Sequence, residues 1–195
     1  MSNYMFAPCA KFNDVNHAYW EKGFSVEEID SIIKYGDGLI LDKASLAGKT
    51  VNEKVRNSKT GWIASNEQTG WLYDRLAFIA RSLNSQYFNF DLYGFSEDFQ
   101  YTVYEGNDEH YDWHMDKGGS SGFPQRKLSL VLQLSEDWEY EGGNLEFKDG
   151  PETFVAKKEK GLVYAFPSYL LHRVTPVTAG VRKSLVVWIG GPAFR

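Results

Sequence analysis

Cysteine occurs once in this 195-residue chain, at Cys9, so no internal disulfide can form and a reducing, cytoplasmic setting is expected. Cys9 itself reads as a small thiol without a chemical role. There is no run of about 18 apolar residues, which argues against a helical membrane span. The opening Met1-Ser2-Asn3-Tyr4-Met5-Phe6 lacks the charged start and apolar stretch of a signal peptide. Basic charge is in deficit, with 21 Lys and Arg against 26 Asp and Glu, a net charge of −5. A broad nucleic-acid surface would be basic, so that partner is disfavoured. No repeat, linker, phosphate-binding glycine loop or serine nucleophile elbow is visible, and Gly118-Gly119 and Gly142-Gly143 read as turns. Composition is 43% hydrophobic and 16% aromatic, which implies a packed core rather than disorder. The length fits one domain over 1–195.

The pattern changes along the chain. Ser25-Val26-Glu27-Glu28 is a capping box opening a helix with Ile29, Ile32 and Ile33 on one stripe. A second helix is predicted over about 67–84 from the helical spacing of Leu72, Leu76, Ile79, Ala80 and Leu83, with Ser65 and Gln68 as candidate caps. Between them, residues 40–60 are polar and glycine-interrupted, as in a mobile lid. From residue 88 onward the chain turns to short strands, the strongest being Lys127 to Leu134 and Lys183 to Ile189. The expected architecture is therefore mainly β with flanking helices: helical support over about 20–86 and a β core over about 88–192. Lys157-Lys158-Glu159-Lys160, the densest basic patch, reads as a solvated turn between strands.

The chemistry concentrates in His114-Met115-Asp116, His172 and Arg182. Two imidazoles and a carboxylate hold ferrous iron on one face and leave the remaining positions open. A fixed guanidinium grips a carboxylate by two parallel bonds. Side chains two apart on a strand share a face, so His114 and Asp116 project together. Beyond a turn at Thr178-Ala179-Gly180, Arg182, Ser184, Val186 and Trp188 share one face of a last strand, where arginine and serine can jointly hold a carboxylate. His-x-Asp alone recurs by chance; its conjunction with a later histidine and an Arg-x-Ser carries the inference. His110 stands four before His114, but no glutamate follows it and its flanks are not helical, so it reads as a loop residue. His17 has no co-ligand nearby in sequence.

Tyr104-Glu105-Gly106, Tyr111-Asp112-Trp113-His114-Met115-Asp116, Gly142-Gly143-Asn144-Leu145, Phe166-Pro167 and His172-Arg173-Val174 through Gly180-x-Arg182-x-Ser184 occur in this order. The chain here resembles the iron and 2-oxoglutarate-dependent dioxygenases, and within them the prolyl 4-hydroxylase-like branch with its PKHD-type hydroxylases. The likeness covers about residues 88–190, and Val55-Arg56-x-Ser58 with Trp62-Ile63 extends it upstream. It implies a double-stranded β-helix, a jelly-roll barrel, buttressed by the N-terminal helices. It also implies Fe(II) held by His114, Asp116 and His172, with 2-oxoglutarate and O2 as co-substrates and ascorbate supporting activity. Arg182 would pair with the distal carboxylate of 2-oxoglutarate, Tyr104 would donate its hydroxyl there, and Leu145 and Val174 would line that pocket. Gln133 stands where some relatives carry a tyrosine that contacts the co-substrate, and Ser184 would join Arg182 in binding it. Tyr111, Trp113 and Trp188 would face the substrate.

The resemblance favours a prolyl residue in a peptide or protein as substrate. The same chemistry on a free amino acid or other small molecule is the alternative, as is a jelly-roll binding module without turnover, which would show a damaged triad or arginine. Halogenating relatives lack the carboxylate ligand, and Asp116 is present. Nucleobase demethylation would want a second arginine where Trp188 stands.

Overall fold

The computed structural model describes residues 15–44, 52–118 and 125–194. The strands are β1 (Ala18–Trp20), β2 (Asp42–Lys43), β3 (Arg56–Asn57), β4 (Lys59–Ile63), β5 (Gly94–Phe95), β6 (Phe99–Glu105), β7 (Glu109–His114), β8 (Gln125–Gln133), β9 (Tyr140–Gly142), β10 (Leu145–Asp149), β11 (Glu152–Val155), β12 (Val163–Pro167) and β13 (Leu171–Gly191). The helices are α1 (Val26–Asp37) and α2 (Gly70–Leu83), the latter running into a π-helical turn at Asn84–Phe88.

The capping box forms as expected: Glu28 N donates to Ser25 Oγ and Ser25 N to the Glu28 carboxylate, fixing the start of α1. Ile29 and Ile32 are buried, and Ile33 packs at the edge of the same cluster. The stripe of α2 is likewise buried from Leu72 to Leu83. Its start differs from expectation. Thr69 holds the cap position, and Asn66 Oδ1 accepts from the backbone N–H groups of Gln68 and Thr69 at 2.8 and 3.2 Å. Short Asn side chains reach their own backbone two residues on, which places the turn one step later than Ser65 would.

The major sheet runs β1-β12-β8-β13-β6-β4-β2, with β5 added along β13. A minor sheet of β3, β7, β9, β10 and β11 is built around the first half of β13. All the pairings are antiparallel. The 21-residue β13 thus passes through both sheets and closes them into a double-stranded β-helix. Thr178-Ala179-Gly180 does not break the strand; the register shifts beside it, and Gly180, at φ +74°, kinks the chain from one sheet into the other. A Cβ at Gly180 would collide with the Glu139 carbonyl, so the crossing needs glycine.

Side-chain alternation divides the major sheet. Phe99, Tyr101, Val103, Leu128, Leu130, Leu132, Leu185, Val187 and Ile189 face the helices in one core cluster. Tyr104, Val131, Tyr164 and Phe166 face inward, where they meet Leu145, Phe147, Val174 and Val177 of the minor sheet. Each such buried side chain contributes about 1.5–3 kcal/mol over its exposed state, so the two clusters fix both faces firmly. Within residues 40–60, the described flanks pair into the sheet through β2, β3 and β4. The remainder of the expected lid, 45–51, lies outside the described residues, as do Cys9 and the N-terminal run. No helix among the described residues is long and apolar enough to cross a membrane.

Candidate metal centre

His114 ends β7 and lies directly opposite His172 on β13. Asp116, two residues beyond the strand, turns back so that its Oδ1 lies 3.7 Å from His114 Nε2 and its Oδ2 3.5 Å from His172 Nε2. One ligand atom from each of the three lies within 4.8 Å of the others, and no other group of three or more His, Cys, Asp or Glu does so among the described residues.

The tautomers follow from the backbone. His114 Nδ1 contacts Asp112 O at 2.7 Å, and His172 Nδ1 contacts Leu170 O at 2.9 Å. A carbonyl only accepts, so each Nδ1 carries the proton and each Nε2 lone pair is left for a cation. The rings are held by stacking: Tyr111 lies on His114 at 3.4 Å and 11°, and Phe166 packs on His172 at 4.7 Å. Burial, and then the neighbouring His172, push His114 down to about 3 despite the pull of Asp116. Burial works against the Asp116 charge, but His172, His114 and the Ser129 hydroxyl outweigh it and leave its pKa below the usual carboxylate value. Neutral imidazole and ionised carboxylate are the forms a metal ion requires. The donor set therefore fits Fe(II), a cation suited to two histidines and one carboxylate.

Arg182 is the largest fully buried side chain, 1% exposed. It pairs across the sheet with Tyr104 on β6. Its guanidinium donates to Ser184 Oγ at 3.2 Å and Gln133 Oε1 at 3.1 Å, and sits 5.4 Å from the Tyr104 ring. Gln133 and Ser184 face each other in the ladder, as their shared role requires. Nε has no partner, and no carboxylate among the described residues pairs with this arginine. A buried cation with only neutral partners is costly unless an anion joins it, so the carboxylate end of 2-oxoglutarate fits. Leu145 and Val174 pair directly and line the same inner cluster.

Trp188 is also inward and 6% exposed; its Nε1–H makes no hydrogen bond of good geometry, although it lies near enough to Asp116 to lower the carboxyl pKa. Trp113 is placed elsewhere than expected. It lies against Arg173 at 4.6 Å and Lys148 at 5.8 Å, on the outer face of the minor sheet and away from the triad. Strand alternation explains this, since its neighbour His114 points inward. His110 is the second residue of β7, not a loop residue, and contacts the Asp108 and Lys54 carbonyls. His17 stacks on Phe154 at 4.1 Å and joins no ligand group among the described residues. Lys157–Lys160 does form the turn before β12, with Lys160 paired to Asp30, but Lys158 reaches Gly142 O at 2.5 Å and lies over Tyr140.

Several residues at the site had no role assigned from sequence. Arg56 lies over Tyr111 at 4.5 Å and donates to Gln100 at 2.7 Å. Arg126 lies over Trp188 at 3.8 Å and is gripped by both Glu97 oxygens at 2.6 Å. Neither arrangement has a local signal, because the partners lie on different strands. Ser129 contacts Asp116 directly and Ser168 contacts Ser129; here a serine inside an apolar strand was the available signal.

Residues 99–190 match the 2OG-Fe(II) oxygenase superfamily. This matched segment holds the triad and Arg182. Its sequence relatives include the PKHD-type hydroxylase of Synechococcus sp. (strain CC9311), 42% identical over 80 residues, covering 40% of this chain and 36% of that protein. The PKHD-type hydroxylase of Azoarcus sp. (strain BH72) is 37% identical over 90 residues, 44% of this chain and 40% of that one. The matches thus span well under two thirds of these relatives' length. The fold is similar to a Trichoplax adhaerens prolyl hydroxylase solved with a hypoxia inducible factor peptide fragment, with a TM-score of 0.76, 18% identity, and 92% and 85% of the two chains covered. It is also similar to a Pseudomonas putida prolyl-4-hydroxylase, with a TM-score of 0.73, 19% identity, and 91% and 94% covered.

Proposed function

We propose that this chain is an Fe(II)- and 2-oxoglutarate-dependent dioxygenase that hydroxylates a prolyl residue in a peptide or protein. The observation that carries the reading is the pairing of a converged His-Asp-His donor set with a buried arginine that has no carboxylate partner among the described residues. The superfamily match and the prolyl hydroxylase fold neighbours support it. His114, Asp116 and His172 would hold the iron. Arg182, with Ser184 and Gln133 orienting its fork, would anchor the distal carboxylate of 2-oxoglutarate. Tyr104 would lend its hydroxyl, and Leu145 and Val174 would close the apolar flank. Bound together, iron and keto acid supply the oxidising chemistry, in which O2 converts 2-oxoglutarate to succinate and CO2 and hydroxylates a C–H bond.

The protein's part is position and dryness. The Phe147 and Phe166 rings shield His172 from water. Tyr111 covers His114 and Trp188 flanks Asp116, so these two aromatics would border the substrate. Trp113 is not given that role. Both rings are backed by stacked arginines, which keep them from turning. The helical support and the barrel would act as one unit.

The test is incubation with Fe(II), ascorbate, 2-oxoglutarate and a library of proline-containing peptides, followed by mass spectrometry. A gain of one oxygen on proline is the expected result. Succinate formation stimulated only by small molecules would reassign the substrate. Failure to bind 2-oxoglutarate at all would instead leave a binding module.

A further inference from the structure

Asp116 lies past the end of β7, where no ladder hydrogen bond holds it, yet its carboxylate is 7% exposed and closely placed. Two hydroxyls account for this. Ser129 on β8 lies 2.7 Å from Asp116 Oδ2, and Ser168, in the turn between β12 and β13, lies 2.9 Å from Ser129. Both serines are 0% exposed.

The direction of the chain can be deduced. An ionised carboxylate only accepts, so the single Ser129 hydrogen goes to Asp116. Ser129 then has only lone pairs to offer, so Ser168 must be the donor between them. The polarity runs from Ser168 to Ser129 to Asp116, each hydrogen bond strengthening the next in a water-free interior. The backbone repeats the connection: Lys117 N donates to Ser168 O at 2.6 Å, and Ser168 N donates to Lys127 O at 3.0 Å. Three residues after Ser168, β13 begins, and its second residue is His172.

We infer that the Ser168–Ser129 hydroxyl pair is a positioning device for the metal centre, turning the Asp116 carboxylate toward the two imidazoles and coupling it to the turn that carries His172. This rests on the metal reading proposed above. Ser129 acts on the ligand directly; Ser168 acts only through Ser129. With Oδ2 held by Ser129, the carboxylate cannot rotate freely and stays beside the two imidazole Nε2 atoms, where it would meet a bound cation. Outer groups of this kind are commonly worth roughly 10- to 100-fold in metal affinity.

The experiment uses the full chain and Co(II) alone, without substrate, under anaerobic conditions. Co(II) affinity and the Co(II) absorption spectrum are measured for the parent, Ser129→Ala, Ser168→Ala and the double variant. The expected result is a loss of roughly 10- to 100-fold for Ser129→Ala with a changed spectrum, and a smaller loss for Ser168→Ala. The double variant should be no weaker than Ser129→Ala, because the second hydroxyl has no other route to the ligand. If Ser129→Ala does not fold, Ser129→Cys keeps a similar shape with a weaker donor and should show an intermediate loss. An unchanged affinity and spectrum in either Ser129 variant, even with a lowered melting temperature, would make the serines structural only and overturn the inference. So would strictly additive losses. A parent chain that binds no Co(II) would overturn the metal reading itself, a distinct outcome.

Discussion

Replacing Arg182 by methionine separates ligand binding from folding with unusual clarity. The guanidinium is 1% exposed, and its partners Ser184, Gln133 and the nearby Tyr140 hydroxyl are all neutral. In the ligand-free protein its unshared charge carries a desolvation cost of several kcal/mol, set against two hydrogen bonds worth about 1.5–3 kcal/mol each. These terms roughly cancel, so the ligand-free melting temperature of Arg182→Met should stay close to that of the parent. Binding behaves differently. Removing one partner of a buried charge pair costs about 2–5 kcal/mol, roughly 30- to several-thousand-fold in Kd. At 2-oxoglutarate about 100 times the parent Kd, the ligand should stabilise the Co(II)-loaded parent by about 2.7 kcal/mol. For a chain of this size that is about 5–11 °C. A 100-fold weaker variant keeps only about 0.4 kcal/mol at the same concentration, about 1–2 °C. Thermal melts with and without ligand, alongside calorimetric titration, read both numbers. A parent-sized thermal shift in Arg182→Met would refute the anchoring role outright.

Gly143→Ala should weaken 2-oxoglutarate binding as well as stability, because its φ is +58° and a Cβ would come within 3.0 Å of Arg182 Cδ and 2.8 Å of Val177; calorimetry and melting report the two effects separately. Trp113→Ala should leave the peptide KM unchanged, since the ring lies against Arg173 and Lys148 on the outer face, with only about 0.5–1 kcal/mol of stability lost. His17 is held below its ordinary pKa by burial. The unfolded chain therefore takes up a proton near pH 6.5 that the folded one resists, and stability present above that pH declines as it falls toward the depressed native value. His17→Phe should flatten this acid limb in urea midpoints measured between about pH 7.5 and pH 5; an unchanged slope would show that the ring titrates freely. Gly36→Ala should destabilise by about 1–3 kcal/mol through overpacking, because its Cβ would lie 2.5 Å from the Tyr101 ring.

Much of this arrangement was legible because it obeys local periodicity. The parity of Arg182, Ser184 and Trp188 on β13 put them on one inward face, and the helix stripes and the Ser25 cap behave likewise. The donor set was legible as chemistry more than as geometry. Period two accounts for His114, but Asp116 has already left the strand; Ser129 and the Lys117–Ser168 contact bring it back. Register shifts beside Tyr111 let it stack on His114 three residues away, which strict alternation would forbid. Trp113 shows the converse: adjacent to a ligand in sequence, it obeys alternation and faces outward. At Gly180 the sequence reads as a turn because glycine marks one, yet tertiary pairing with β9 and then β6 continues the strand through the kink. Arg56 and Arg126 carry no sequence signal of their aromatic partners, since cross-strand contacts arise only once the sheets close.

Turnover with isotopically labelled O2 offers the most direct check, with the label read in succinate by mass spectrometry. The parent chain should place one labelled oxygen in each succinate formed, and His172→Ala and Arg182→Met should lose that product. Unlabelled succinate, or labelled succinate undiminished in His172→Ala, would contradict a reaction run by these three ligands and this arginine.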